Sequence, residues 1–156
     1  MAEALGMKVI VSERKGATTC RDGRVPFEDA LRQSTVFILV VPLDASTKDM
    51  ISSAELKAMN KTALVVNVGR GGVVNEQALA EALRNCEIAG AATDVFSTEP
   101  ATKENSPLLD PTIPNLILSP HVAWFSSRTI KGTLATIKAN VEGWVAGRPQ
   151  NVVKPE

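Results

Sequence analysis

Six consecutive apolar residues, Val36-Phe37-Ile38-Leu39-Val40-Val41, constrain the fold more than any other stretch of the chain. A strand wetted on one face alternates apolar and polar side chains, so a run without alternation predicts burial on both faces, as in a parallel sheet covered by helices. The flanking sequence supplies what such a sheet needs. Lys8-Val9-Ile10-Val11-Ser12, Leu64-Val65-Val66, Ile88 to Val95 and Leu116-Ile117-Leu118 read as further strands. Helix signals fall between them. Met1 to Leu5 reads as helix stopped by Gly6, and Pro26 starts a helix through Phe27, Ala30 and Leu31. Ser52-Ser53-Ala54-Glu55 has capping-box spacing ahead of a helix over 53–59, and Asn75 caps a helix with Leu79, Ala82 and Leu83 on one face. The stretch from Ala101 to Pro114, with Pro107 and Pro111, reads as loop. From Ser126 onward Ile130, Leu134, Ile137, Val141 and Trp144 recur at steps of four and three, which predicts a long amphipathic helix covering one sheet face. Strands alternating with helices over short connections give an α/β fold, a parallel sheet with helices on both faces.

Composition narrows the partners. Seventeen basic and seventeen acidic residues cancel, so no electrostatic attraction to nucleic acid or to an anionic membrane is expected. No apolar run is long enough to cross a bilayer, and Glu3 stands where a secretory leader carries positive charge, so a cytoplasmic protein is expected. Cys20 and Cys86 have neither metal nor redox spacing and read as ordinary thiols of a reducing compartment.

In parallel sheets ligands bind outside the carboxyl ends of the strands, and three residues with chemistry fall there. Arg70 sits among Gly69, Gly71 and Gly72 just past the Leu64 strand. Glycines permit close approach of backbone and ligand, and a guanidinium fork matches a carboxylate or phosphate at two points. Glu99 follows the Ile88 to Val95 strand and His121 follows the Leu116 strand. Each alone has an ordinary explanation: a solvent-facing arginine in a glycine-rich turn, a Glu-Pro loop start, a histidine after proline. Together they deliver a cation, a carboxylate and an imidazole to one edge, the set that reduction of a 2-oxo acid requires. Glu13-Arg14, after the Lys8 to Ser12 strand, leaves two readings open. An acidic residue there accepts hydrogen bonds from ribose hydroxyls, whereas an arginine accommodates a ribose phosphate.

The segments Leu31-Arg32-Gln33-Ser34 through Val36 to Pro42, Asn67-Val68-Gly69-Arg70-Gly71, Asp94-Val95-Phe96 with Glu99-Pro100, and Pro120-His121-Val122-Ala123-Trp124 occur in one order. Together they resemble the D-isomer-specific 2-hydroxyacid dehydrogenases, and within them the glycerate dehydrogenases or hydroxypyruvate reductases. The resemblance implies a Rossmann-like cofactor domain over 1–150, followed by a tail over 151–156. It also implies reduction of hydroxypyruvate or glyoxylate by NADH or NADPH. By resemblance, Arg70 holds the substrate carboxylate, His121 is the general acid and Glu99 pairs with it. Asp94 lies near the nicotinamide carboxamide and Glu13 or Arg14 near the adenosine ribose, while Val41, Pro42, Val68, Gly69 and Ala123 complete the cofactor contacts.

The sequence departs from that pattern in two respects. It carries no Gly-x-Gly-x-x-Gly turn after a first strand, which weakens the expected hold on NAD or NADP by removing backbone donors to the diphosphate. The family's separate substrate domain is also expected to be absent. Without the first, central strand, the Val9 and Val36 strands are expected on one side of a gap and the Leu64, Ile88 and Leu116 strands on the other. Unpaired edges at such a gap favour a rearranged sheet or a homo-oligomer. Two further readings stay open: a non-catalytic remnant serving as an assembly module, and a cofactor-independent lyase or isomerase reusing the anion site.

Overall fold

A computed structural model describes residues 2–153 of the chain. It divides into two compact units, one ending at His121 and one starting at Val122.

The first unit holds two parallel sheets. Strands β1 (Val11–Ser12) and β2 (Arg24–Val25) pair with each other. Strands β3 (Val36–Leu39), β4 (Leu64–Asn67), β5 (Gly90–Thr93) and β6 (Leu116–Leu118) form a four-stranded sheet in chain order, every pair parallel. Helices α1 (Phe27–Gln33), α2 (Ser53–Ala58) and α3 (Glu76–Arg84) make the connections. Two caps form as the sequence predicts. Ser52 and Glu55 close a capping box on α2, and the Asn75 side chain accepts the Ala78 N–H at 2.9 Å to start α3. The proline-containing loop includes one turn of 3-10 helix, Pro107–Leu109, capped by Ser106.

The core lies on one face of the four-stranded sheet. Phe37, Leu39, Val65 and Ala91 are buried with Phe27 and Leu31 of α1, Leu56 of α2, and Leu79 and Leu83 of α3. Phe27 meets Phe37 edge-on with ring centres 6.3 Å apart. The opposite face carries the cross-strand row Ile38, Val66, Ala92 and Ile117, set by the strand register. Ile38 is 55% and Ile117 71% exposed. Within the first unit the buried partners from α1 to α3 serve the face of Phe37 and Leu39.

The expected position of the gap is also corrected. β3 pairs with β4 along Val36↔Leu64 to Leu39↔Asn67, so the Val36 strand belongs with the Leu64 strand and not with the Val9 strand. The break falls between the β1–β2 pair and β3, where a cavity of about 450 Å³ is lined by Val9, Ile10 and Ser12 on one side and Val36 to Ile38 on the other. The error arises at β2: Arg24–Val25 has no apolar run to announce it. Because β2 offers so short an edge, only Val11–Ser12 of the expected Lys8 to Ser12 strand is paired.

The second unit contains α4 (Ser127–Val145), with the Ser126 hydroxyl accepting the Thr129 N–H at 3.1 Å. Within this unit Leu134, Ile137, Val141 and Trp144 are exposed along the helix. No helix among the described residues is long and apolar enough to cross a membrane.

Candidate active site

The site grows from the carboxyl ends of β4, β5 and β6. β4 ends in Asn67, 3% exposed, whose side chain shapes the turn that follows. Its Oδ1 accepts the Gly69 N–H at 3.1 Å and its Nδ2 donates to the Arg70 carbonyl at 3.0 Å. A buried amide satisfied in this way fixes backbone that would otherwise be free to wander. Arg70 itself is exposed, donates from Nη1 to the Gly69 carbonyl at 2.8 Å, and forms no ion pair among the described residues.

Backbone bonds tie the neighbouring strand ends to this turn. The Asp94 N–H donates to the Asn67 carbonyl at 3.0 Å, and the His121 N–H donates to the Asp94 carbonyl at 2.7 Å. His121 is held there with φ of +54°, in the left-handed region that costs a side-chain-bearing residue roughly 1–2 kcal/mol. Asp94 is buried, and its Oδ1 accepts the Ser119 hydroxyl at 2.6 Å.

The third strand end arrives through close backbone approach. A Cβ on Gly71 would lie 1.8 Å from the Phe96 carbonyl oxygen, so only glycine lets the Arg70 turn rest against the 96–99 loop. Gly69 similarly abuts Val41, whose carbonyl oxygen would stand 2.8 Å from an added Cβ. The 96–99 loop is pinned by Glu76 at the start of α3, which accepts the Ser97 N–H and the Ser106 hydroxyl, both at 2.6 Å. Glu99 then uses one carboxylate oxygen to accept the Phe96 N–H at 3.0 Å and the other to meet His121 Nδ1 at 2.7 Å. The hydrogen bond to His121, followed by that from the Phe96 N–H, holds the Glu99 carboxyl below its ordinary value.

Glu99 and His121 are therefore in direct contact, and the Arg70 turn packs on the loop that carries Glu99. The Arg70 guanidinium itself rests on its own backbone at the Gly69 carbonyl. Val41 and Val68 lie beside this turn, the Val68 N–H donating to the Leu39 carbonyl at 3.1 Å. Pro42 begins the next loop and its carbonyl accepts the Thr47 hydroxyl at 2.7 Å. Ala123 belongs to the second unit, within a turn closed by the Phe125 N–H on the Val122 carbonyl.

Glu13 and Arg14 follow β1. Glu13 is buried and paired with Arg21, which pulls its carboxyl far below the usual range, whereas Arg14 is exposed. The β1 loop is linked to the Arg70 turn by a chain of hydrogen bonds. Lys15 Nζ reaches Glu55 at 2.8 Å and the Met50 carbonyl at 3.0 Å, and the adjoining Asp49 N–H donates to the Gly72 carbonyl at 2.8 Å.

Sequence reasoning passed over Asn67, Glu76 and Ser119 as site-shaping residues. Asn67 ending a strand and Glu76 in a first helical turn were visible as local signals. The long-range partners of Glu76, Ser97 and Ser106, were not.

Comparison with known proteins gives the family. Residues 1–123 match the model of the D-isomer specific 2-hydroxyacid dehydrogenase NAD binding domain. A glycerate dehydrogenase of Methylorubrum extorquens is 45% identical over 153 residues, covering 98% of this chain and 47% of that protein. A hydroxypyruvate reductase of Blautia hydrogenotrophica is 33% identical over 98% of this chain and 48% of its own length. Among solved structures, an NADPH-dependent glyoxylate/hydroxypyruvate reductase of Sinorhizobium meliloti superposes with a TM-score of 0.80 at 33% identity, over 97% of this chain and 47% of that one. The chain thus spans about half the length of the curated relatives it matches. Its matched segment and its share of identity with these relatives make it a member of the D-isomer specific 2-hydroxyacid dehydrogenase family.

Proposed function

We propose that the chain carries the cofactor-side machinery of a reductase acting on a small 2-oxo acid, such as hydroxypyruvate or glyoxylate, with NADH or NADPH as reductant. The observation that carries this reading is the 2.7 Å contact between His121 Nδ1 and Glu99, set beside the Arg70 turn. The donor set fits both ends of a dinucleotide. Guanidiniums follow β1, and Asp94 and the His121–Glu99 pair lie at the ends of β5 and β6.

When bound, the reduced nicotinamide supplies the hydride that ends on C2 of the oxo acid. Arg70 swings from the Gly69 carbonyl to grip the substrate carboxylate with its planar fork. With Nδ1 fixed on Glu99, proton exchange falls to Nε2 of His121, which delivers a proton to the carbonyl oxygen as C2 becomes tetrahedral. Glu99 keeps the ring oriented and offsets the charge of the protonated imidazole. Asp94, held by Ser119, orients the carboxamide, and Val41, Pro42, Val68 and Gly69 border the cofactor.

On this reading residues 1–150 act as the cofactor domain, in a reducing cytoplasm that suits the free thiols of Cys20 and Cys86. The open edges of β1 and β3 favour assembly as a homo-oligomer. The deciding experiment follows loss of NADH and NADPH with a panel of 2-oxo acids at high protein concentration. Consumption abolished by His121→Asn supports the reading, and silence across the panel overturns it.

A further inference from the structure

We propose that Glu76 is a positioning residue for proton transfer: by clamping the loop that carries Glu99 from both sides, it fixes which nitrogen of the His121 ring holds the proton. This rests on the proposed role of His121 and names what keeps its partner in place.

Burial does little to hold Glu99. Ser97 to Pro100 are all exposed, so no apolar packing fixes this part of the loop. The side chains of His121 and Glu99 are 38% and 37% exposed, and an ion pair so open to water does little by itself to keep its geometry. Beyond His121, the carboxylate is anchored on the Phe96 N–H at 3.0 Å. That bond requires the chain to turn after Phe96 and bring residue 99 back to it.

Glu76 supports that turn on both flanks. Its Oε1 accepts the Ser97 N–H at 2.6 Å, while Gly71 lets the carbonyl of the same peptide, that of Phe96, lie against the Arg70 turn. A planar peptide held at both polar atoms does not rotate, which sets the direction of the chain out of Phe96. The Oε2 of Glu76 accepts the Ser106 hydroxyl at 2.6 Å, and Ser106 is 3% exposed. The adjoining Asn105 donates from Nδ2 to the Pro100 carbonyl at 3.2 Å, so the far flank of Glu99 is tied to the same carboxylate. The consequence reaches the imidazole. The bonds to Glu99 keep its carboxyl ionised and acceptor-only, so His121 Nδ1 is the donor in their 2.7 Å contact. The neutral ring is then the Nδ1–H tautomer, the form left once Nε2 has given up a proton. Release of Glu99 from its seat removes that preference.

The test reads the imidazole nitrogens of the full chain, in which His121 is the sole histidine, by long-range proton–nitrogen NMR correlation at the high-pH end of the ring's titration. Two variants separate geometry from charge. Glu76→Gln keeps the reach and the acceptor for the Ser97 N–H but loses the charge, whereas Glu76→Asp keeps the charge but is a methylene too short to span Ser97 and Ser106. The expected result is a pyrrole-type Nδ1 beside a pyridine-type Nε2 in the wild type and in Glu76→Gln. In Glu76→Asp both signals should move toward averaged values, by a change comparable with that in Glu99→Ala. Circular dichroism checks the fold of each variant, and Ser106→Ala, which releases one of the two bonds and leaves Glu76 in place, decides the matter if Glu76→Asp does not fold. A tautomer unchanged in Glu76→Asp or, failing that variant, in Ser106→Ala overturns the proposal, as does disruption by Glu76→Gln. No turnover is needed, so the two readings fail separately. The expected pattern without reduction of any 2-oxo acid leaves this inference standing and removes the proposed function, and reduction by a chain whose imidazole ignores Glu76 does the reverse.

Discussion

Gly71→Ala probes the contact that brings the anion-binding turn to the proton-transfer pair. The new Cβ would stand 1.8 Å from the Phe96 carbonyl oxygen, 2.0 Å from its carbon and 2.6 Å from the Ser97 nitrogen, all backbone atoms without rotamers to yield. Ordinary contact begins at 3.4 Å, so the two loops must part by about 1.6 Å. Overpacking of this kind costs roughly 3 kcal/mol, which lowers the thermal midpoint by about 6–12 °C for a chain of this size. Displacing Arg70 from His121 by more than an ångström reduces reduction of the 2-oxo acid on the order of 10²-fold. Gly132→Ala is the matched control, because nothing lies within 4 Å of its added Cβ and it sits within α4. It should leave activity unchanged and stabilise the helix by about 0.8 kcal/mol. Thermal unfolding and initial-rate assays on the two variants give the answer. Gly71→Ala matching the wild type in both would refute the argument that the Arg70 turn and the Glu99 loop share a backbone seam.

Other substitutions address single links. Glu99→Gln keeps the shape but removes the charge facing His121, and kcat should fall about 10²–10⁴-fold with a much smaller change in KM, read from steady-state kinetics. The depressed carboxyl of Glu99 contributes stability that is complete above the unfolded value of about 4.3 and is lost as pH falls through the lower folded value. Urea unfolding followed downward from about pH 5 should therefore weaken more steeply in the wild type than in Glu99→Gln. Asn75→Ala removes the acceptor for the Ala78 N–H and should cost about 1 kcal/mol in the same assay. Leu56→Ala, at a fully buried position on α2, should cost roughly 2–5 kcal/mol.

The parts of this fold that could be read from the sequence are those specified by neighbours in the chain. Asn75 as a cap, the Ser52 to Glu55 box and the Leu116–Leu118 strand all declare themselves within a few residues, and all are present. β2 could not be read, because Arg24–Val25 is a strand only by virtue of its pairing with Val11–Ser12. That omission moved the expected gap to the wrong side of the Val36 strand. The unbroken apolar run of β3 predicted two covered faces, and within the first unit α1 to α3 bury the face of Leu39: hydropathy records what a face suits, not which element lies against it. The site shows the same division. The strand-end positions of Arg70, Glu99 and His121 followed from alternating elements, and the Glu99–His121 bond matched the expected pairing. The capture of Glu13 by Arg21 depends on an eight-residue loop closing on itself, and no periodicity encodes that.

His121 is the sole histidine of the chain, so its imidazole nitrogens can be followed by NMR without assignment ambiguity. The decisive measurement is their response to hydroxypyruvate or glyoxylate in the presence of oxidised cofactor, which permits binding without turnover. A saturable shift at Nε2, with Nδ1 remaining hydrogen-bonded, and loss of that shift in Arg70→Ala are the results the account predicts. Imidazole signals indifferent to the oxo acid, or a shift that persists without the Arg70 guanidinium, would contradict it.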